Sequence, residues 1–122
     1  MSDYKGTIIE ESLEDKTILR RAKVLSVAVE KVTDEHRTPW VTQWTLDTVE
    51  IPEGEIATFT EALSVSLDSK HPWYADLKNE RFHYIVFRNK VFKVSLEDSD
   101  SYENARSYGI SIGIPGYQVD FK

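Results

Sequence analysis

Residues 71–96 read HPWYADLKNERFHYIVFRNKVFKVSL. Three apolar runs follow one another there: Trp73 to Leu77, Phe82 to Phe87 and Val91 to Leu96. Polar breaks separate them, Lys78-Asn79-Glu80-Arg81 and then Arg88-Asn89-Lys90. Aromatic and β-branched residues dominate each run, as half-buried pleated strands require. Breaks this short admit only hairpins, because parallel neighbours need a long crossover. The stretch therefore reads as a three-stranded antiparallel meander, and the rest of the chain reads as its cover.

Side chains alternate across a strand, so each pairing also divides the residues between two faces. A two- or four-residue first loop places Leu77 opposite Phe82, Asp76 opposite His83 and Ala75 opposite Tyr84. A two-residue second loop places Phe87 opposite Phe92 and Ile85 opposite Val94. One face then carries Tyr74, Asp76, His83, Ile85, Phe87, Phe92, Val94 and Leu96, and reads as the core. The other carries Trp73, Leu77, Phe82, Tyr84, Val86 and Val91 with Lys93, and is too apolar to be wholly solvated. The spacing predicts that the C-terminal segment Ile110 to Phe121 covers this second face, with an uncovered remainder as a binding groove.

Working outward, Glu55 is followed by Ile56, Phe59, Leu63 and Leu67 at helical spacing, with Ala62 alongside. Pro52-Glu53-Gly54-Glu55 opens this helix with acidic residues that suit its N-terminal dipole, and Asp68-Ser69-Lys70 ends it. Upstream, Ala22 to Val32 alternates, with Leu25, Val27 and Val29 on one face. Trp40 to Ile51 follows the polar loop 33–39, which contains His36. A hairpin that brings Val27 to Leu46 and Val29 to Trp44 makes the two apolar faces coincide. The first five residues read as frayed, Thr7-Ile8-Ile9 as a short edge strand, and Ser12 with Asp15 as the start of a helical turn carrying Leu13, Ile18 and Leu19. After the meander, Asp100 and Glu103 suggest a helix start. Tyr102, Ala105 and Tyr108 suggest its buried face, and Gly109 its left-handed end. Pro115-Gly116 signals a turn in an apolar tail. The expected class is α+β: one domain over residues 1–122, a mainly antiparallel sheet with a three-stranded meander, and two principal helices on one face.

The 122 residues suit a single domain, which at this size buries about two-thirds of its unfolded surface. The chain has no cysteine, which excludes disulfides, thiolate metal sites and cysteine nucleophiles. It carries 21 acidic and 15 basic residues, a formal charge of −6 that disfavours phosphate backbones. The nearest basic cluster, Arg20-Arg21-Lys23, reads as a solvated segment. No apolar run approaches the roughly 20 residues of a membrane span, and the acidic N-terminus lacks a signal-peptide pattern. The expectation is a soluble, acidic, cytoplasmic protein that binds neither nucleic acid nor membrane.

Three segments together, TPWVTQW at 38–44, HPWYADLKNERFHYIVFRNKVFKV at 71–94 and YGISIGIPGYQVDF at 108–121, resemble a group of short stand-alone prokaryotic proteins of unknown function. The resemblance spans nearly the whole chain. It implies an independent small domain and carries no activity, cofactor or site residue.

No phosphate-cradling glycine loop, HExxH pattern, nucleophile elbow or paired acidic metal motif is present. Three histidines, His36, His71 and His83, remain to be weighed. His36 reads as a solvated loop residue. His71 and His83 with Asp76 would give a metal such as zinc two imidazoles and a carboxylate. The plainer reading is an Asp76–His83 hydrogen bond satisfying two polar groups near the core, so no metal or cofactor is expected. The same pair is the candidate general base, Asp76 orienting the His83 imidazole. Trp40, Trp44, Trp73, Tyr74 and Tyr84 combine apolar area with polar tips, and the set reads either as core or as a docking surface. The leading expectation is a non-enzymatic domain that binds a partner protein or small ligand through Trp73 and Tyr84, with Arg88 and Lys93 at the rim. Its rivals are a small enzyme using Asp76 and His83, and a structural homo-oligomer paired through an exposed strand or apolar patch.

Overall fold

The computed structural model describes residues 3–34, 38–98, 100, 102–114 and 116–119, with the backbone alone at Tyr117. Among these residues six strands form one antiparallel sheet: β1 Tyr4–Ile9, β2 Lys23–Lys31, β3 Gln43–Ile51, β4 Tyr74–Lys78, β5 Phe82–Phe87 and β6 Lys90–Ser95. Their order across the sheet is β2-β3-β1-β4-β5-β6. Two helices accompany them, α1 Ile56–Ser66 and α2 Tyr102–Ser111, with short 3-10 segments at 10–12, 16–21, 53–55 and 116–118. The fold is α+β with a mainly antiparallel sheet, as the sequence predicts. His36 and Phe121 lie outside the described residues, as do Ser101 beside the expected Asp100–Glu103 cap and Pro115 of the expected turn.

The meander forms with different loops from those expected. Leu77 pairs with Tyr84 and Asp76 with Ile85, while Phe87 pairs with Lys90 and Ile85 with Phe92. Both hairpins are displaced by two residues, an even slip that leaves every side chain on its expected face. Local turn chemistry sets the loops. The Asn79 side chain accepts from the N–H groups of Arg81 and Phe82, each at 2.8 Å, and closes the first loop. Asn89 takes a left-handed conformation, φ 59°, which a two-residue turn at Arg88-Asn89 uses.

The two faces are covered differently from the expectation. Trp73, Ala75, Leu77, Tyr84 and Val86 join Ile56, Phe59, Leu63 and Leu67 of the α1 region in the larger core. Ile85, Phe87 and Val94 pack instead with Tyr102, Ala105, Ile114 and Val119. Because adjacent strand residues point to opposite faces, α1 and α2 flank the sheet rather than sharing one face. Ile112, Ile114 and Val119 of the C-terminal segment therefore cover the Phe87 face and not the Trp73–Tyr84 face. The α1 stripe is larger and apolar enough to claim the latter.

Three element ends also differ from the expectation. Residues 4–9 form a central strand, not a frayed end and an edge: Tyr4 is 2 % exposed, and β1 pairs with both β3 and β4. Gly6 permits this, since a Cβ there would stand 1.9 Å from the Asp76 carbonyl oxygen. Gly109 lies inside α2, where a Cβ would meet Val119 at 2.7 Å. The left-handed cap is Gly113, φ 103°, with Ile114 N–H donating to Gly109 O and Gly113 N–H to Ile110 O, a Schellman end. At residues 12–15 the capping side chain is Asp15, which accepts from Thr17 N–H, rather than Ser12.

The β2–β3 hairpin forms, but one residue out of the expected register. Val27 pairs with Asp47 and Val29 with Thr45, after a bulge between Val24 and Ser26 that leaves Leu25 as the extra residue. An odd slip exchanges faces. Val27 and Val29 thus share a face with Asp47, Val49 and Ile51 rather than with Trp44 and Leu46.

Candidate functional site

Asp76 on β4 and His83 on β5 do meet. His83 Nε2 lies 2.6 Å from Asp76 Oδ2, and His83 Nδ1 lies 2.8 Å from the Tyr102 hydroxyl. The carboxylate accepts from Nε2–H, so in the neutral imidazole Nδ1 accepts the Tyr102 proton, a tautomer assigned from the network. Tyr102 stands 19 residues from His83. It reaches the pair because α2 lies over the face on which Ile85 and Phe87 point.

The chain of groups runs inward from solvent. The Asp76 side chain is 39 % exposed, His83 only 4 %. Burial, and then the Asp76 charge, raise the Tyr102 hydroxyl above its ordinary pKa. Tyr74 is pushed up to about 12 by the same two causes, and its hydroxyl donates to Gln118 O at 2.6 Å. A general base needs a lone pair directed at its substrate. In this arrangement both imidazole nitrogens are engaged and the group that meets water is the carboxylate. The geometry joins β4, β5 and α2 through a chain of polar groups that runs from the half-exposed Asp76 to the buried His83 and Tyr102.

His71 lies elsewhere. Its Nδ1 is 2.7 Å from Asp68 Oδ2, and its ring stacks on Trp40 with centroids 4.0 Å apart. Burial pushes the Asp68 carboxyl up. The Lys70 N–H, His71 and the Trp73 indole outweigh it and hold the carboxyl below its ordinary value. Trp73 Nε1 nonetheless makes no hydrogen bond of normal geometry. Among the described residues no group of three His, Asp or Glu side chains is placed to hold a metal.

The four residues expected to line a docking surface divide between three places. Trp73, 5 % exposed, packs edge-on between Trp40 and Trp44, so all three tryptophans of the chain form one cluster. Tyr84, 6 % exposed, packs edge-on against Tyr4. Lys93 lies beside Tyr84 in the β5–β6 ladder, with its ammonium 4.2 Å above the Phe82 ring. Arg88 donates to the carbonyls of Val65 and Leu67 at the C-terminal end of α1 and also reaches Glu14. Trp73 and Tyr84 belong to the core under α1, Lys93 covers an aromatic surface, and Arg88 closes a helix end.

The exposed apolar surface is on β2. All nine of its residues are exposed, including Val24, Leu25, Val27 at 57 % and Val29 at 63 %. β2 also ends the sheet, so no strand among the described residues lies along its outer edge. The alternation of residues 24–29 signals a strand, but only the sheet order reveals that it is an edge. α1 reaches β5, β6 and the 16–21 segment, leaving the β2 side chains uncovered.

A second polar feature lies under the same hairpin. Where β1 ends at Ile9, the Glu11 carboxylate accepts from Thr45 N–H at 2.5 Å and from its hydroxyl at 2.8 Å, replacing the missing strand partner. Burial pushes Glu11 up, but these two donors hold it below its ordinary pKa. Asp47 is 3 % exposed, and its Oδ1 has no hydrogen-bond partner among the described residues. Its carboxyl is pushed up to about 6 by burial first, then by Glu10 and the Glu11 charge.

No family model, curated protein or solved structure matches the chain. No helix among the described residues is long and apolar enough to cross a membrane.

Proposed function

We propose that the chain is a non-enzymatic domain that binds a protein partner by accepting the partner's strand along the free edge of β2. The observation that carries this is an edge strand of nine exposed residues, four of them large and apolar. A bound strand would take main-chain hydrogen bonds from the edge, and Val24, Leu25, Val27 and Val29 would supply specificity. The aromatic residues serve as support. Trp73 and Tyr84 stiffen the core, and the half-exposed Trp40 lies in the connection between β2 and β3. The setting proposed is the cytoplasm, with which a chain lacking cysteine is compatible, and the kinship proposed is with short prokaryotic proteins of similar sequence.

A photo-crosslinking side chain introduced at Val29 of the full chain, expressed in its own host, tests the reading. Val65, 60 % exposed on α1, is the control position. A discrete adduct from Val29 that is missing from Val65 supports strand-edge docking. No adduct at Val29, or the same adducts from both positions, overturns it.

A further inference from the structure

We infer that the strand accepted by β2 is β2 of a second copy of this chain, so that two six-stranded sheets join edge to edge about a two-fold axis at Val27. This rests on the docking reading above and adds the identity of the partner. The β2 sequence KVLSVAVEK, residues 23–31, is self-complementary.

Antiparallel pairing about Val27 sets that residue against its own copy and Ser26 against Ala28. The bulge then sets the remaining pairs. Because Val24 and Leu25 together occupy the space of one ladder position, both face Val29 of the other copy, and Lys23 comes opposite Glu30. Lys23 and Glu30 project from the same side of the sheet, since their β3 partners are Glu50 and Trp44. The dimer therefore places opposite charges together at both ends and an unbroken apolar strip from both copies on the other face. Directly opposed side chains in such a ladder stand roughly 4.5–5.5 Å apart, close enough for both contacts. Without the bulge, Lys23 would oppose Lys31, a like-charge pair that disfavours the assembly. Pairing about Ala28 instead would put Ser26 against Glu30 and lose the ion pairs.

The bulge and terminal lysines also limit the contact. They restrict pairing to one defined register instead of an open-ended stack of strands. Nine residues per copy fall well below the roughly 20–30 per side of a standard interface. The expected dissociation constant is therefore of order micromolar rather than nanomolar.

Sedimentation equilibrium of the whole chain over a concentration series up to about 1 mM tests this. The wild type should pass from monomer to dimer and stop there. Val27→Lys should weaken association at least about 100-fold, because two ammonium groups would meet at the axis. Val65→Lys, an equal change at another exposed valine, should leave it unaltered. Glu30→Lys should weaken the dimer, and Lys23→Glu in the same chain should restore it. Circular dichroism confirms that each variant is folded. A wild type that stays monomeric throughout overturns the self-pairing. So does association that survives Val27→Lys, or that Val65→Lys weakens equally. The crosslinking result separates the two claims. An adduct at Val29 twice the chain mass supports both, and an adduct with a different protein retains the docking edge while overturning the dimer.

Discussion

The β4–β5–β6 meander and the β2–β3 hairpin are written in the same alternating code, yet one is sealed and the other is half bare. In the meander β5 lies between the α1 core on one face and the α2 cluster on the other, so that Ile85, Val86 and Phe87 are all fully buried. On β2, Val27 and Val29 have the same side-chain chemistry and remain in water. Alternation determines which side chains share a face. Whether that face is covered depends on where the helices land, and here both landed over the C-terminal half of the sheet or its centre. A protein that leaves valines on an unpaired edge exposes them to a neighbouring strand, and this contrast carries the functional reading.

The junction between the halves gives the largest expected effect. Gly6→Ala inserts a methyl group against the Asp76 carbonyl, where backbone blocks relaxation. We expect a loss of about 4 kcal/mol or more, or no folded protein, in urea denaturation. A loss below about 1 kcal/mol would mean that β1 and β4 are not packed this closely.

The contrast itself is sharpened by a matched pair of truncations. Leu63→Ala, under the covered half, should cost about 2–5 kcal/mol. Val29→Ala, measured on dilute protein, should stay within about 0.5 kcal/mol. Similar costs at the two positions would show that β2 is covered in solution by its own chain.

Asp47 tests the ground beneath the hairpin. Its folded pKa, about 6, is raised above the ordinary 3.8. The stability it contributes is therefore fully present below about pH 4 and lost as pH rises through 6. Glu11 and Asp68 act with the opposite sign, since their lowered values favour the fold at neutral pH and fail on acidification. Asp47→Asn should consequently gain on the wild type as pH climbs from 4 to 7, by up to about 3 kcal/mol. A constant difference across that range would show that Asp47 titrates normally.

A smaller effect than at Asp47 is expected at the polar chain of the meander. Tyr102→Phe removes the hydroxyl that meets His83 Nδ1 and should cost about 1–2 kcal/mol, read as a shift of the urea midpoint. No shift would detach α2 from His83.

These residues also show how far the sequence could be read. The meander's faces survived the wrong loops because both hairpins slipped by an even number, and parity is all that alternation encodes. The β2–β3 pairing failed by one residue because the Leu25 bulge cannot be seen in a periodic pattern. β1 escaped notice as a central strand because Lys5, Gly6 and Thr7 look like an edge, whereas Gly6 is there to let β4 approach. Asp76 and His83 could be paired from the chain since they share a hairpin face. Tyr102 could not, because its approach depends on which side α2 packs. Trp73 and Tyr84 look the same on paper whether a helix covers them or not.

The central claim is that the edge of β2 is occupied by a second β2. Hydrogen exchange on the wild-type chain at low and high concentration, followed amide by amide, tests it most directly. The account predicts that alternate, outward-facing amides of Lys23–Lys31 gain protection as concentration rises, while those of β4, β5 and β6 do not change. Exchange across β2 that stays the same at every concentration would contradict it.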